Sequence, residues 1–155
     1  MAKKKYQAHP FESAGGYRSR NSDKLKDDVS ANLYESMLRS PAYMDLTDKQ
    51  KVLYSYCKLQ FFGKRKPQRD FPEVEQFKGE DRFYMNVSMV LEEYGLYTRK
   101  STSTFYHDMD ALIKHGFIDR ISSGKSHRQK TVYAFSDRWK QWNPEAASAS
   151  PEGKA

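Results

Sequence analysis

Between Ser122 and Lys130 the sequence SSGKSHRQK crowds Lys125, His127, Arg128 and Lys130 together and offers no acid to neutralise them. A second run, TRKSTSTFYHD, brings Arg99, Lys100, Ser103, Thr104, Tyr106 and His107 close in sequence. Ammonium and guanidinium groups bond phosphate oxygens, while small hydroxyls and imidazoles approach closely enough to reach base edges. The chemistry these residues suit is recognition of a polyanion.

Bond-breaking chemistry has little to assemble. His107 and His115 are too far apart for the i, i+4 pair of a helical metal motif, and no cysteine stands near them. Cys57 is the only cysteine, so an intrachain disulfide is impossible, and it reads as a small buried apolar residue. SSGKS has the end of a phosphate-binding loop without its leading glycine, and it lies between β-prone runs instead of before a helix. Eleven tyrosines offer nucleophiles for strand nicking, yet the histidine cluster that would hold the metal is missing. No enzyme, metal site or cofactor is therefore expected. Phe83, Tyr84, Tyr94, Tyr97, Phe117, Tyr133 and Phe135 read as core rather than as stacking platforms for single strands.

The elements that must position the two donor-rich runs follow from periodicity. SANLYESMLRS reads as a short helix with Ser30 as N-cap, Glu35 and Arg39 paired at i, i+4, and Leu33, Met37 and Leu38 on one side. In LTDKQKVLYSYCKLQFFG, Thr47 caps a stronger helix whose apolar face is Val52, Leu53, Tyr56 and Leu59 and which Gly63 stops. KRKPQRDFPEVEQFKGED has no regular period and reads as a long excursion. A strand over Arg82 to Asn86 and a short helix ending at Gly95 come next. Phe105, Met109, Leu112 and Ile113 recur at helical spacing, with Gly116 as the left-handed stop. FIDRIS and TVYAFS then form a hairpin with the basic run at its tip.

Each helical residue turns the chain by about 100°. With Phe105 facing the core, Lys100, Ser103, His107 and Lys114 face away from it, flanked by Thr104 and Tyr106. Asp108 and Asp110 are expected further along this outer side, where they would limit how much of the helix enters a groove.

Helix, strand, short helix, turn, longer helix, strand, basic loop, strand is the order of a winged helix-turn-helix. The fold class expected is α+β, mainly helical, with a small antiparallel sheet whose hairpin is the wing. Hydrophobic residues at 37% and aromatics at 14% of 155 residues supply one core. Residues 1–29 read as a flexible basic arm, 30–142 as the folded domain and 143–155 as a disordered tail. A net charge of +7 and a pI near 9.4 favour polyanionic partners. No apolar run approaches the roughly 20 residues of a membrane span and no signal peptide is visible, so a cytoplasmic location without a membrane partner is expected.

LTDKQKVLYSYCKLQFFGKRK, EDRFYMNVSMVLEEYGLYTRKSTSTFYHDMDALIKHGFIDRI and GKSHRQKTVYAF together resemble the winged-helix proteins of plasmids and conjugative elements of Gram-positive bacteria. They are similar to the N-terminal domain of plasmid replication initiators, over roughly Ala31 to Phe135. The resemblance implies double-stranded DNA as ligand, read by Arg99, Lys100, Ser103, Thr104 and His107 on the helix and by Lys125, His127, Arg128 and Lys130 on the wing, and the facing of the helix adds Tyr106 at the margin. It also implies a homodimer on repeated sites, with a relaxase or replication proteins as further partners. Full initiators continue into a second domain, so an accessory factor of conjugative DNA processing or replication, or a transcriptional regulator, is expected here. The other reading is a winged-helix module that binds protein and reads no DNA.

Overall fold

Local chemistry at Ser40 and Thr47 divides the amino-terminal half into three helices. These are α1 (Glu35–Leu38), α2 (Pro41–Asp45) and α3 (Asp48–Leu59). The Ser40 hydroxyl accepts from the Tyr43 N–H at 3.2 Å and Pro41 stands at the first helical position. A proline there has no N–H to continue the preceding helix, so α1 ends and α2 begins within two residues. Thr47 forms a reciprocal capping box with Gln50, each side chain accepting from the other's backbone N–H, at 3.3 and 3.0 Å.

In the computed structural model, residues 7–18, 22–60, 81–122 and 131–149 are described. The chain divides into two units, Met1–Ser30 and Ala31–Ala155. In the first, Tyr17 and Lys26 form an isolated antiparallel bridge and the Ser13 hydroxyl donates to Asp28.

After the residues 61–80, the strand β1 (Arg82–Tyr84) leads into a wide, π-type helical turn, Met89–Glu93. Gly95 follows with φ +69, the left-handed conformation that lets the chain turn away. A 3₁₀ turn at Arg99–Ser101 runs directly into α4 (Thr102–Lys114). The strands β2 (Ile118–Ser122) and β3 (Val132–Phe135) are antiparallel, and β1 pairs on the other side of β3, giving the order β1-β3-β2. The register slips between Arg120 and Ser122, and the additional residue, Ile121, is 42% exposed. A 3₁₀ turn at Arg138–Gln141 and the helix α5 (Pro144–Ala149) close the described chain. The architecture is mixed α+β with a small three-stranded antiparallel sheet.

The core gathers from α3, β1, the π-type turn, α4 and the start of β2. Leu53 and Cys57 of α3, Phe83 of β1, Val90 of the π-type turn, Phe105, Met109 and Leu112 of α4, and Phe117 and Ile118 are all fully buried. At roughly 1.5–3 kcal/mol per large apolar side chain, this cluster is the main stabilising term.

Four expectations are corrected. Tyr34, not Ser30, is the N-cap of α1, and Leu33 and Leu38 stay exposed while Met37 alone of the helix is buried. On α3 the inward face is Gln50, Leu53, Tyr54 and Cys57. Those positions are i, i+3, i+4 and i+7, so the period holds, but a polar residue occupies its first place and Val52 is left 40% exposed. β1 ends at Tyr84, before Asn86. Residues 144–149, whose small residues suggest a tail without order, are helical: Asn143 Oδ1 accepts from the Glu145 N–H at 2.9 Å, Pro144 is the first helical residue and alanines follow. Gly63 and the excursion up to Glu80 lie outside the described residues. Among the described residues no helix is long and apolar enough to cross a membrane.

Candidate nucleic-acid interface

Position along α4 is fixed from both ends and from below. Its inward residues Phe105, Asp108, Met109 and Leu112 are buried, with Met109 Sδ 4.0 Å from Cys57 Sγ of α3. Burial pushes the Cys57 thiol well above its ordinary range, so it stays protonated and inert. Towards the sheet, Asp110 accepts from Arg120 of β2 at 2.6 Å. Burial pushes the Tyr133 phenol, beside Arg120, up to about 12, the guanidinium opposing part of that rise.

The opposite face of α4 is open. Ser103, Thr104, His107 and Lys114 are exposed, as is Lys100 in the preceding turn. The side chains of Lys100, Ser103, Thr104 and Lys114 form no hydrogen bond or ion pair with other described residues. Tyr106 is 45% exposed, its ring packed edge-on against Phe105 at 5.1 Å. Arg99 is exposed too, but its Nε donates to Glu92 Oε1 at 2.6 Å, so the π-type turn already holds its charge. Six residues singled out from sequence thus fall on one end and one side of this helix, five with their polar groups presented and Arg99 engaged.

Asp108 is placed differently from its expectation. It is 5% exposed, and both carboxylate oxygens are used: Tyr97 Oη donates to Oδ2 at 2.7 Å and Gln50 Nε2 donates to Oδ1 at 3.0 Å. His107 Nδ1 lies 3.6 Å from Oδ1. Burial first, and then the bond to Asp108, pushes the Tyr97 phenol far above its usual range. The signal was available: residue 108 is three after Phe105 and so shares its face. Asp110 does remain half-exposed at the surface, already paired with Arg120.

At the other end of α4, His115 occupies the C-cap position. Its Nδ1 is 2.7 Å from Ala111 O, its Nε2 is 2.7 Å from Asp45 Oδ2 of α2, and its ring stacks on Trp142 at 4.8 Å. Gly116 has φ +81, and a Cβ there would come within 2.6 Å of Trp139 N. Arg138 Nη2 donates to Ile113 O at 3.1 Å and Ile118 O at 3.2 Å and pairs with Asp119. No sequence motif marks Arg138, because two of its acceptors are main-chain carbonyls and the third is a carboxylate 19 residues away.

Lys125, His127, Arg128 and Lys130, together with Lys3 to Lys5 and Lys64 to Lys66, lie outside the described residues. Lys125 to Lys130 fall in sequence between the paired ends of β2 and β3. Among the described residues no three His, Cys, Asp or Glu side chains gather in a way that would hold a metal ion. No protein-family model, curated protein or solved structure matches the chain.

Proposed function

We propose that the chain is a winged-helix protein that binds double-stranded DNA sequence-specifically for a mobile genetic element. Its role would be that of an accessory factor in conjugative DNA processing or replication, or of a transcriptional regulator. The observation that carries the reading is the outward, donor-rich start of α4 immediately followed in the chain by a hairpin whose tip sequence is basic and free of acids. An α-helix fits a major groove about 12 Å wide, and a hairpin beside it reaches the neighbouring backbone.

In this mechanism nothing is broken or made. Lys125, Arg128 and Lys130, helped by Lys3 to Lys5 and Lys64 to Lys66, contact phosphates and set the register. Lys100, Ser103, Thr104 and His107 then meet base edges, with Tyr106 at the margin for a thymine methyl. Arg99 and His127 complete the contacts, Arg99 by exchanging Glu92 for a phosphate. A second copy of the chain on a paired half-site, and a relaxase or replication proteins, are the further partners. A protein partner without DNA is the second reading, favoured by Tyr34 at 66% and Met44 at 63% exposure on the amino-terminal helices.

Fluorescence anisotropy against a duplex that the protein selects from a random-sequence pool, and against its scrambled counterpart, tests the proposal. Log affinity is expected to fall steeply with log salt, and Arg128→Ala and Lys130→Ala each to flatten that slope by about one. Equal, weak binding to both duplexes would remove the specificity. Absence of binding at low salt would remove DNA altogether and leave the protein-partner reading.

A further inference from the structure

Among the described residues Asp108 is the one carboxylate that is buried, and it sits in a helix whose neighbouring inward side chains are apolar. A buried charge is tolerated when its lone pairs are occupied by well-aimed donors, and here both oxygens are. The donors come from two different elements. Tyr97 lies two residues before the 3₁₀ turn that leads into α4, and it is 2% exposed, held edge-on against Phe105 at 5.5 Å with Lys49 Nζ 4.5 Å from its ring centre. Gln50 belongs to the first turn of α3, and its other end already accepts from the Thr47 N–H. A continuous line of hydrogen bonds thus runs from the cap of α3 through Gln50 to Asp108 and on to Tyr97.

Burial of Phe105, Met109 and Leu112 turns one face of α4 inward and so sets its rotation coarsely, because burial is less directional than a hydrogen bond. Two hydrogen bonds arriving at one carboxylate narrow it further. The scale matters for reading. A helix with its side chains is about 10–12 Å across, so a rotation of about 20° moves a side-chain end by about 2 Å, more than a hydrogen bond to a base tolerates. His107, adjacent to Asp108, and Thr104, one turn back, are on the side that would be displaced.

We propose that Asp108 is a positioning residue which, through Tyr97 and Gln50, sets the rotation of α4 so that Ser103, Thr104 and His107 meet base edges in register. Its first half concerns the protein alone; its second half rests on the DNA reading above.

The test uses the full chain, with Tyr97→Phe, which keeps the ring and loses the donor, and Asp108→Asn. Residual dipolar couplings of α3 and α4 amides, without DNA, are expected to show α4 reoriented relative to α3 in both variants. An unchanged orientation in both would overturn the proposal. With DNA, the affinity ratio between the selected and the scrambled duplex is expected to fall about tenfold, the weight of about one base-specific contact. Binding to the scrambled duplex and its salt slope are expected to stay as in the parent protein. A lower melting temperature with an unchanged ratio would mean an ordinary structural role and overturn it as well. If the parent protein selects no duplex, the DNA reading fails while the couplings still decide what Asp108 does. If Asp108→Asn does not fold, Tyr97→Phe decides alone.

Discussion

α3 and α4 are nearly equal in length, at 12 and 13 residues, and both bury side chains at helical spacing, yet their polar faces are used differently. Each lysine of α3 lies over an aromatic ring of the same fold: Lys49 over Tyr97, Lys51 over Tyr43 and Lys58 over Phe135, at 4.5, 5.5 and 5.5 Å from the ring centres. Lys100 and Lys114, with Ser103 and Thr104 between them, meet neither ring nor counter-charge among the described residues. Cations held over rings stabilise the fold; cations held over nothing are available to a ligand. A charge count does not record this difference in use, which shows only in the position of the aromatics in space.

On their inward faces the two helices are expected to behave alike. Phe105→Ala in α4 is expected to destabilise by about 3–5 kcal/mol and Leu53→Ala in α3 by about 2–5 kcal/mol, since both side chains are fully buried. Urea unfolding of both variants checks this. A loss at Phe105 much smaller than at Leu53 would mean that α4 is only loosely docked and would break the parallel. Gly116→Ala is the next largest effect, at about 1 kcal/mol or more, because it combines a positive φ with a Cβ 2.6 Å from Trp139 N. Trp139 and Trp142 fluorescence during thermal unfolding reports it directly, both rings lying at this end of α4.

What could be read from the sequence was whatever is local. The Thr47 cap, the stop at Gly116 and the outward placement of Ser103, Thr104 and His107 each depend on neighbours within a turn or two, and each stands as expected. Where a polar residue takes a core position, the apolar pattern alone points the wrong way. Gln50 hid the true face of α3, and Asp108 was assigned outwards although its spacing from Phe105 already turned it in. Those two residues are 58 apart and bonded to one another, a partnership that no window of sequence contains. The same holds for Arg138, which donates to the carbonyls of Ile113 and Ile118 and to Asp119, 25, 20 and 19 residues away. The basic tip, Lys125 to Lys130, rests on sequence alone, because it lies outside the described residues.

The smallest expected effects sharpen the contrast between the helices most, because they run in opposite directions. Lys51→Ala removes a cation from over Tyr43 and is expected to lower stability by about 0.5–1 kcal/mol and, on the DNA reading, to leave the salt slope unchanged. Lys100→Ala removes a cation that touches nothing described, so its stability should remain within about 0.5 kcal/mol of the parent protein. On the DNA reading it should flatten the salt slope by about one. Thermal melts and anisotropy titrations on the same two variants separate the axes. If Lys51→Ala flattens the slope instead, the lysines of α3 face the ligand, and a ring beneath a cation would be a way of aiming its charge outward, not of keeping it in the fold.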